Sequence, residues 1–290
     1  MGELGFIGLG KMGTPLLARM KEKFRVKGVH SRNGGKASLF PDIKFYEEPF
    51  QIASSCDIIF VMVSDDSACE SVIFGEKGLI RTIRPKSIVV NLSTVSHNFT
   101  MSAEKRLRDS MCSYLDTPVF GSIGAAKAGR LVVMASGSED AFHTVEAVLY
   151  SFSTRVVYMG KSGSATKMKL ISNMAMAANL AIASEALFMA ENAGIPRELA
   201  MDILLSGGSQ SRILEMKKDT ILKEDFVPDF TLKDLIKDLD YAMDLSMSLK
   251  SPVPLEASAM QFYVAASSIG FGNLDYSSVS RVYKFLAGRS

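Results

Sequence analysis

In the first half of the chain, short runs of apolar residues alternate with longer amphipathic stretches. Continuous apolar runs such as Ile58–Val63 are typical of strands that are buried on both faces. The predicted strands are Leu4–Ile7, Arg25–Ser31, Ile58–Val63, Ile88–Leu92, a short one near Tyr114–Asp116, Val132–Ala135 and Val156–Tyr158. Stretches such as Thr14–Lys23 and Asn98–Ser110 have helical periodicity. This alternation predicts a doubly wound parallel sheet.

The second half of the chain has the pattern of helices only. A long helix rich in alanine and methionine is predicted over about 164–192; it stops before Gly194, and Pro196 opens the next helix. Thr231 with Asp234 three residues later indicates a further helix start. The predicted fold class is α/β: an N-terminal Rossmann-type domain over 1–162, joined by the long helix to an all-helical C-terminal domain over 163–290.

Composition excludes several functional classes. Of the 290 residues, 47% are hydrophobic and 22% are charged, and the net charge of +2 gives no reason to expect a nucleic-acid or membrane partner. Neither the histidines nor the cysteines have the spacing of metal ligands, so no metal site is expected. The three cysteines form no CxxC pair, and no signal peptide precedes the first strand, so we expect a cytoplasmic protein. The apolar stretch Met174–Ala190 is interrupted and short for a membrane span, which indicates a buried helix in a soluble protein.

A glycine-rich turn lies between the first strand and the first helix. Its six residues are Gly8, Leu9, Gly10, Lys11, Met12 and Gly13. In a dinucleotide-binding turn the first glycine allows the sharp bend and the second lets the backbone approach a pyrophosphate. The third lets helix and strand pack closely, and the helix N-terminus supplies amide donors. The alternative is a purely structural glycine turn, but the position between strand and helix favours a dinucleotide.

The end of the second strand bears on the choice of cofactor. An NAD site usually has an acidic residue there, to bind the ribose 2′-hydroxyl. This chain has instead Ser31, Arg32, Asn33 and Lys36, without an acid nearby. Arg32 and Lys36 suit a 2′-phosphate, and Ser31 and Asn33 add neutral donors. We therefore expect NADP(H) to be preferred, with NAD(H) as the alternative if Arg32 only stacks on the adenine.

Lys169 is the candidate for proton transfer. Lys169 and Asn173 are four residues apart and share a face of the long predicted helix. A lysine near the start of a largely apolar helix between two domains loses water, which disfavours its charged form and suits it to proton transfer. The alternative is a lysine whose stem packs on the helix while its ammonium reaches solvent.

Four segments together resemble the β-hydroxyacid dehydrogenase family, which includes 3-hydroxyisobutyrate dehydrogenases and glyoxylate/succinic semialdehyde reductases. Residues 5–13 (GFIGLGKMG) resemble its cofactor fingerprint and residues 116–125 (DTPVFGSIGA) its substrate motif. Residues 160–173 (GKSGSATKMKLISN) resemble its catalytic motif, and residues 230–239 (FTLKDLIKDL) its late cofactor-contacting helix. The resemblance runs nearly from end to end, and the order and spacing of the segments make it specific.

The resemblance implies roles for particular residues. It implies Lys169 as general acid/base, and its implied substrate-binding residues are Ser93, Phe120, Gly121, Ser122 and Asn173. Further implied cofactor contacts are Val63, Ser64, Thr94 and Lys237. The family commonly has Ser-Gly-Gly where this chain has Phe120-Gly121-Ser122, and Leu-Pro where it has Val63-Ser64. The substrate carboxylate would then depend on the amides of Gly121 and Ser122, on the hydroxyl of Ser122, and on Lys169 or Asn173. The resemblance also implies that the helical domain forms a homodimer or homotetramer.

The sequence thus predicts an NADP(H)-dependent oxidoreductase that interconverts a small hydroxy acid and its semialdehyde or keto acid. A glyoxylate/succinic semialdehyde reductase is the narrower alternative. A non-catalytic NADP-binding scaffold on the same fold is the alternative of another class, although such a protein would need to keep neither Lys169 nor Asn173. An imine reductase generally lacks the lysine, and a 6-phosphogluconate dehydrogenase has a much longer helical domain.

Overall fold

The computed structural model describes residues 2–32 and 34–288. The chain divides into two compact units, Met1–Lys169 and Leu170–Ser290. In the described ranges, strands occur only in the first unit, apart from an isolated bridge between Thr231 and Asp275 in the second. The predicted change from alternating strands and helices to helices alone is thereby confirmed.

The first unit alternates strands and helices. Its strands are β1 (Leu4–Ile7), β2 (Val26–His30), β3 (Lys44–Phe45), β4 (Ile58–Val61), β5 (Ile88–Asn91), β6 (Ser113–Asp116), β7 (Val119–Phe120), β8 (Leu131–Gly137) and β9 (Ser153–Tyr158). Its helices are α1 (Gly13–Lys21), α2 (Pro49–Ala53), α3 (Asp66–Phe74), α4 (His97–Asp109), α5 (Ile123–Lys127) and α6 (Glu139–Leu149). Short 3₁₀ segments lie at Gly34–Leu39 and Leu79–Arg81.

The sheet has the strand order of a dinucleotide-binding fold. The order is β3-β2-β1-β4-β5-β6-β8-β7, with β9 paired to β8. The first six strands are parallel and run in the 3-2-1-4-5-6 order typical of Rossmann folds, so the predicted doubly wound sheet is confirmed. Strand β8 is antiparallel to both β6 and β7, which the sequence did not indicate. Only residues 121–130 separate β7 from β8, too few for the crossover that a parallel pair needs.

Both faces of this sheet are buried. Along β4, Ile58 and Phe60 belong to one apolar cluster and Ile59 and Val61 to another, and all four are at most 2% exposed. Successive side chains of a strand point to opposite faces, so a continuous apolar run supplies both layers. The helices on each side cover these layers and leave the ends of the strands for chemistry.

The second unit is built on α7 (Ser164–Asn192), which begins in the first unit. Its other helices are α8 (Arg197–Ser206), α9 (Arg212–Lys223), α10 (Leu232–Ser248), α11 (Pro254–Ser268) and α12 (Val282–Leu286), with 3₁₀ segments at Phe271–Asn273 and Tyr276–Arg281. By length and composition α7 is the one described helix that could cross a membrane, with a mean hydropathy of 1.3 over its most apolar window. Core helices satisfy the same criterion, and Leu180 and Leu187 of α7 are at most 2% exposed in the core of this unit.

Candidate active site

The glycine-rich turn connects β1 to α1, as predicted. Gly8 has φ of +104°, and a Cβ there would lie 1.9 Å from the carbonyl oxygen of Met62. A Cβ on Gly13 would lie 1.9 Å from the carbonyl oxygen of Gly8, so the third glycine is required for the close approach of helix and strand. The Cβ position of Gly10, in contrast, has no atom of the described residues within 4 Å. The middle glycine is therefore open toward a ligand, while the outer two are needed by the fold.

The N-terminus of α1 has the properties of a phosphate site. The N-cap residue Met12 makes no side-chain capping bond, and the first turn of α1 contains no acidic residue. A helix start without a side-chain cap presents amide donors and the positive end of the helix dipole. Together with the space beside Gly10, these features fit the pyrophosphate of a dinucleotide.

The end of β2 lies beside the glycine-rich turn, because the amide of Gly8 donates to the carbonyl of His30 over 2.9 Å. Ser31 and Arg32 follow directly, and Lys36 lies in the 3₁₀ segment Gly34–Leu39; the side chains of Arg32 and Lys36 are exposed. Neither cation forms an ion pair with a carboxylate among the described residues. Both are thus compatible with the predicted 2′-phosphate contact. Asn33 lies outside the described residues.

The ends of β4 and β5 reach the same edge of the sheet. The Ser93 hydroxyl accepts a 2.9 Å hydrogen bond from the amide of Val63, and the Ser93 amide donates to the side chain of Asn91 over 3.1 Å. Ser93 is only 3% exposed, and its hydrogen bond with the Val63 amide holds the loop that contains Val63 and Ser64. Thr94 follows it at the end of β5 and is half-buried. The predicted contacts from these two strands therefore lie at the carboxyl edge, where ligands bind in such sheets.

The buried phenol of Tyr114 stabilises the end of β5. Tyr114 of β6 accepts a 2.9 Å hydrogen bond from the side-chain amide of Asn91. Burial raises the pKa of the Tyr114 hydroxyl well above its usual value, so the group is neutral. The network from Tyr114 through Asn91 to Ser93 consists of uncharged groups and fixes the end of β5.

The predicted substrate motif lies on β7 and at the start of α5. Gly121 has φ of +133°, and a Cβ there would lie 2.6 Å from a methyl group of Leu131. Ser122 is the N-cap of α5, where its hydroxyl accepts from the amide of Ala125 over 3.2 Å. A serine hydroxyl that accepts such a bond still has its own proton to donate. Ser122 therefore has a structural role that the sequence analysis did not foresee, and its hydroxyl can still donate a proton to a second acceptor.

Lys169 and Phe120 come together in the first unit. The Nζ atom of Lys169 lies over the Phe120 ring, 4.4 Å from its centre. An aromatic face attracts an ammonium group electrostatically. The residue that replaces the usual serine of the family thus contacts the predicted proton-transfer group, which the sequence did not indicate.

Asn173 and Lys237 of the second unit both contact a carboxylate that the sequence analysis missed. Asn173 is 3% exposed and donates to Oδ2 of Asp238 over 2.7 Å. The Nζ atom of Lys237 lies 3.0 Å from Oδ1 of Asp238 and 5.2 Å from the centre of the Tyr241 ring. One signal for Asp238 was present: it is a charged residue on the apolar face of α10, next to Leu235 and Leu239 in helical spacing. The roles of the predicted site residues stay predictions.

No group of three or more potential metal-ligating side chains occurs within the described ranges. Taken together, the strand order, the glycine-rich turn and the open helix start define a nicotinamide dinucleotide-binding protein with a helical second unit.

Two family models match the chain. Residues 3–160 match the model described as the NAD binding domain of 6-phosphogluconate dehydrogenase. Residues 163–283 match the model described as NAD-binding of NADP-dependent 3-hydroxyisobutyrate dehydrogenase. The chain belongs to the β-hydroxyacid dehydrogenase family of NAD(P)-dependent oxidoreductases. The predicted family and the nicotinamide cofactor class are thereby confirmed.

The relatives of this chain have different names. The human cytokine-like nuclear factor N-PAC is 30% identical over 283 residues, which cover 97% of this chain and 51% of that protein, so the chain spans about half the length of this relative. The 2-(hydroxymethyl)glutarate dehydrogenase of Eubacterium barkeri is 28% identical and is covered over 97% of its length. The crystal structure of 3-hydroxyisobutyrate dehydrogenase from Salmonella typhimurium superposes with a TM-score of 0.85 at 26% identity and covers 97% of this chain.

Proposed function

We propose that the protein is an NADP(H)-dependent oxidoreductase that interconverts a small hydroxy acid and its semialdehyde or keto acid. The observation that carries this proposal is the lysine at position 169, early in α7 and above the Phe120 ring, with Asn173 one turn later on the same helix. The family match and the 2-(hydroxymethyl)glutarate dehydrogenase relative support the reaction class.

A nicotinamide dinucleotide held by the glycine-rich turn and Arg32 would supply the hydride chemistry at the carbon that carries the oxygen. Lys169 transfers the proton. In the reducing direction its ammonium donates a proton to the forming alkoxide, and in the oxidising direction its neutral amine takes the hydroxyl proton. Asn173, held by Asp238, presents an amide to the substrate, and the donors of Gly121 and Ser122 suit its carboxylate.

The preference for NADP(H) is part of the proposal. Arg32 and Lys36 supply two positive charges beyond the end of β2, where an NAD-selective fold has a carboxylate. A planar guanidinium can form two parallel hydrogen bonds to a phosphate, which a ribose hydroxyl cannot match. NAD(H) is expected to bind more weakly because it lacks that phosphate.

The substrate is proposed to be a small carboxylic acid with an aldehyde, keto or hydroxyl group. Phe120 replaces the serine that the family commonly uses for the carboxylate, so this chain should favour a substrate with a small apolar segment beside that group. A specific glyoxylate or succinic semialdehyde reductase is the narrower alternative.

A panel of candidate substrates tests the reaction class. NADPH oxidation is followed by absorbance with glyoxylate, succinic semialdehyde, methylmalonate semialdehyde and tartronate semialdehyde. NADP⁺ reduction is followed with 3-hydroxyisobutyrate and serine, and NADH and NAD⁺ are run in parallel. Saturable turnover of one compound would support the proposal. If no compound of the panel is turned over while NADPH still binds, the result would count against the proposed reaction class.

A second candidate function is a non-catalytic NADP-binding scaffold. The observation in its favour is that several relatives at about 30% identity are named as nuclear factors rather than as dehydrogenases. Retention of Lys169 and of the buried Asn173–Asp238 hydrogen bond favours catalysis, because a scaffold has no need of either. Tight NADPH binding with no turnover of any small aldehyde acid would support the scaffold.

Assembly and location complete the proposal. Ile182 and Met189 lie seven residues apart on α7, hence on one face, and are 61% and 74% exposed. This apolar face supports the proposed homodimer or homotetramer, which light scattering coupled to gel filtration would test. The three cysteines are buried and form no disulfide within the described residues, which fits a reducing cytoplasm; imaging of the tagged protein would test that location.

A further inference from the structure

The first amides of helix α7 find their hydrogen-bond acceptors in residues of the first unit that lie outside the helix. The first amides of any α-helix have no acceptor within the helix, and buried amides without acceptors are costly. In α7 the first bond of helical spacing runs from the amide of Lys167 to the carbonyl of Gly163. The four amides before it, from Gly163 to Thr166, need other partners.

Asp116 and Ser136 supply three of these four partners. The amide of Gly163 donates to Oδ1 of Asp116 over 3.2 Å, and the amide of Thr166 donates to Oδ2 over 2.9 Å. The amide of Ala165 donates to the hydroxyl of Ser136 over 3.0 Å. The remaining amide, of Ser164, donates to the carbonyl of Lys161 over 3.1 Å. Every amide of the first turn is therefore satisfied.

The two acceptors are themselves fixed. Asp116 ends β6 and Ser136 lies on β8, and the two residues are direct partners in the antiparallel pairing of these strands. The Ser136 hydroxyl donates to Oδ1 of Asp116 over 2.6 Å, and the Thr166 hydroxyl donates to Oδ2 over 3.0 Å. Asp116 is 1% exposed and Ser136 is fully buried. The carboxylate thus accepts four hydrogen bonds at the positive end of a 29-residue helix, where a negative charge is favoured.

We propose that Asp116 is a positioning residue which, with Ser136, fixes the first turn of α7 and thereby the place of Lys169. This proposal rests on the proposed role of Lys169. Thr166 and Lys169 are three residues apart, so they are neighbours on the same side of the helix. A shift of the first turn moves the lysine with it. Gly163 precedes this turn at a bend that leaves no room for a side chain, since its φ is +87° and a Cβ there would lie 2.6 Å from the His97 ring.

The test compares Asp116→Asn and Ser136→Ala with a matched control. Ser151→Ala is the control, because Ser151 is also a buried serine of the first unit, at 2% exposure, but its hydroxyl donates to the carbonyl of Val148. In the two test variants kcat should fall about 10- to 100-fold, since a displacement of about 1 Å at a reacting group has an effect of that size. The KM and the dissociation constant of NADPH should stay within about twofold, and Ser151→Ala should keep the kcat of the parent protein.

A second variant set separates positioning from general damage. In a Lys169→Ala background, Asp116→Asn should reduce the residual rate no further, because the group it positions is gone. A full additional loss in the double variant would overturn the proposal. So would a kcat for Asp116→Asn within twofold of the parent, or an equal loss in Ser151→Ala.

Two readouts do not depend on turnover, so the proposal can fail separately from the proposed function. Hydrogen exchange measured by mass spectrometry should become faster at the amides of 163–166 in Asp116→Asn but not in Ser151→Ala. The rate at which an acylating reagent modifies Lys169 should change in Asp116→Asn as well. If the parent protein turns over no substrate, the proposed function fails. Unchanged exchange or unchanged labelling of Lys169 would overturn the positioning role in either case.

Discussion

The buried carboxyl group of Glu256, in the second unit, should make the stability of the protein depend on pH. Glu256 lies in the first turn of α11, is 2% exposed, and neither of its carboxyl oxygens has a hydrogen-bond partner among the described residues. Burial raises the pKa of this carboxyl from 4.5 to about 7. A position in the first helical turn favours the charged form by only about 0.3–1 kcal/mol, so desolvation dominates.

The sign of the effect on stability follows from that pKa. Because the folded protein holds the proton more tightly than the unfolded chain, the contribution of neutral Glu256 is complete below pH 4.5. This contribution to the free energy of unfolding is lost as the pH rises toward about 7, and the free energy changes no further above that pH on account of Glu256. A shift from 4.5 to about 7 corresponds to about 3 kcal/mol, at about 1.4 kcal/mol per pH unit.

Glu256→Gln removes the titration and keeps the shape of the side chain. Urea unfolding followed by circular dichroism should show this variant gaining about 2–3 kcal/mol on the parent protein between pH 5 and pH 8. Glu198→Gln, at an exposed glutamate in the first turn of α8, should show no such trend. A difference between Glu256→Gln and the parent that does not change with pH would show that Glu256 does not titrate in this range in the folded protein.

Two further predictions concern the cofactor site. Arg32→Asp should weaken NADPH binding about 10- to 100-fold by calorimetry, the value of a charge-assisted contact, and leave NADH binding nearly unchanged. Arg25→Asp, before the opposite end of β2, is its control, and equal losses for both cofactors would show that Arg32 does not contact the phosphate. Gly10→Ala should keep the melting temperature but lose cofactor affinity, because its Cβ meets no atom of the described residues within 4 Å. Gly13→Ala should lower the melting temperature itself, and the same thermal shift in both variants would contradict this division.

The sequence predicted best the features that depend on neighbouring residues. The turn from Gly8 to Gly13 can be recognised from the spacing of its glycines alone. The apolar runs of β1, β4 and β5 are buried on both faces, as their pattern indicates. Strands β3 and β7 have two residues each, too few for a periodicity to be recognised. The cap at Thr231 was also predicted correctly, and its hydroxyl accepts from the amide of Asp234.

Features that depend on distant residues were not predictable in this way. Asp116 and Thr166 are 50 positions apart, and Asn173 and Asp238 are 65 positions apart. Each pair is brought together by the packing of whole elements, which no local pattern encodes. The contact between Lys169 and Phe120 is of the same kind, although both residues were singled out separately. Asp238 alone left a local trace, as a charge on an apolar helix face.

The proposed role of Lys169 is tested most directly by the effect of Lys169→Ala on the chemical step, with the substrate that the panel identifies. We expect kcat to fall by about 10²- to 10⁴-fold, the usual contribution of a general acid or base, while the NADPH dissociation constant is unchanged. Lys161→Ala, at an exposed lysine just before α7, should retain full turnover. Near-normal turnover in Lys169→Ala, or an equal loss in Lys161→Ala, would show that Lys169 is not the proton-transfer group.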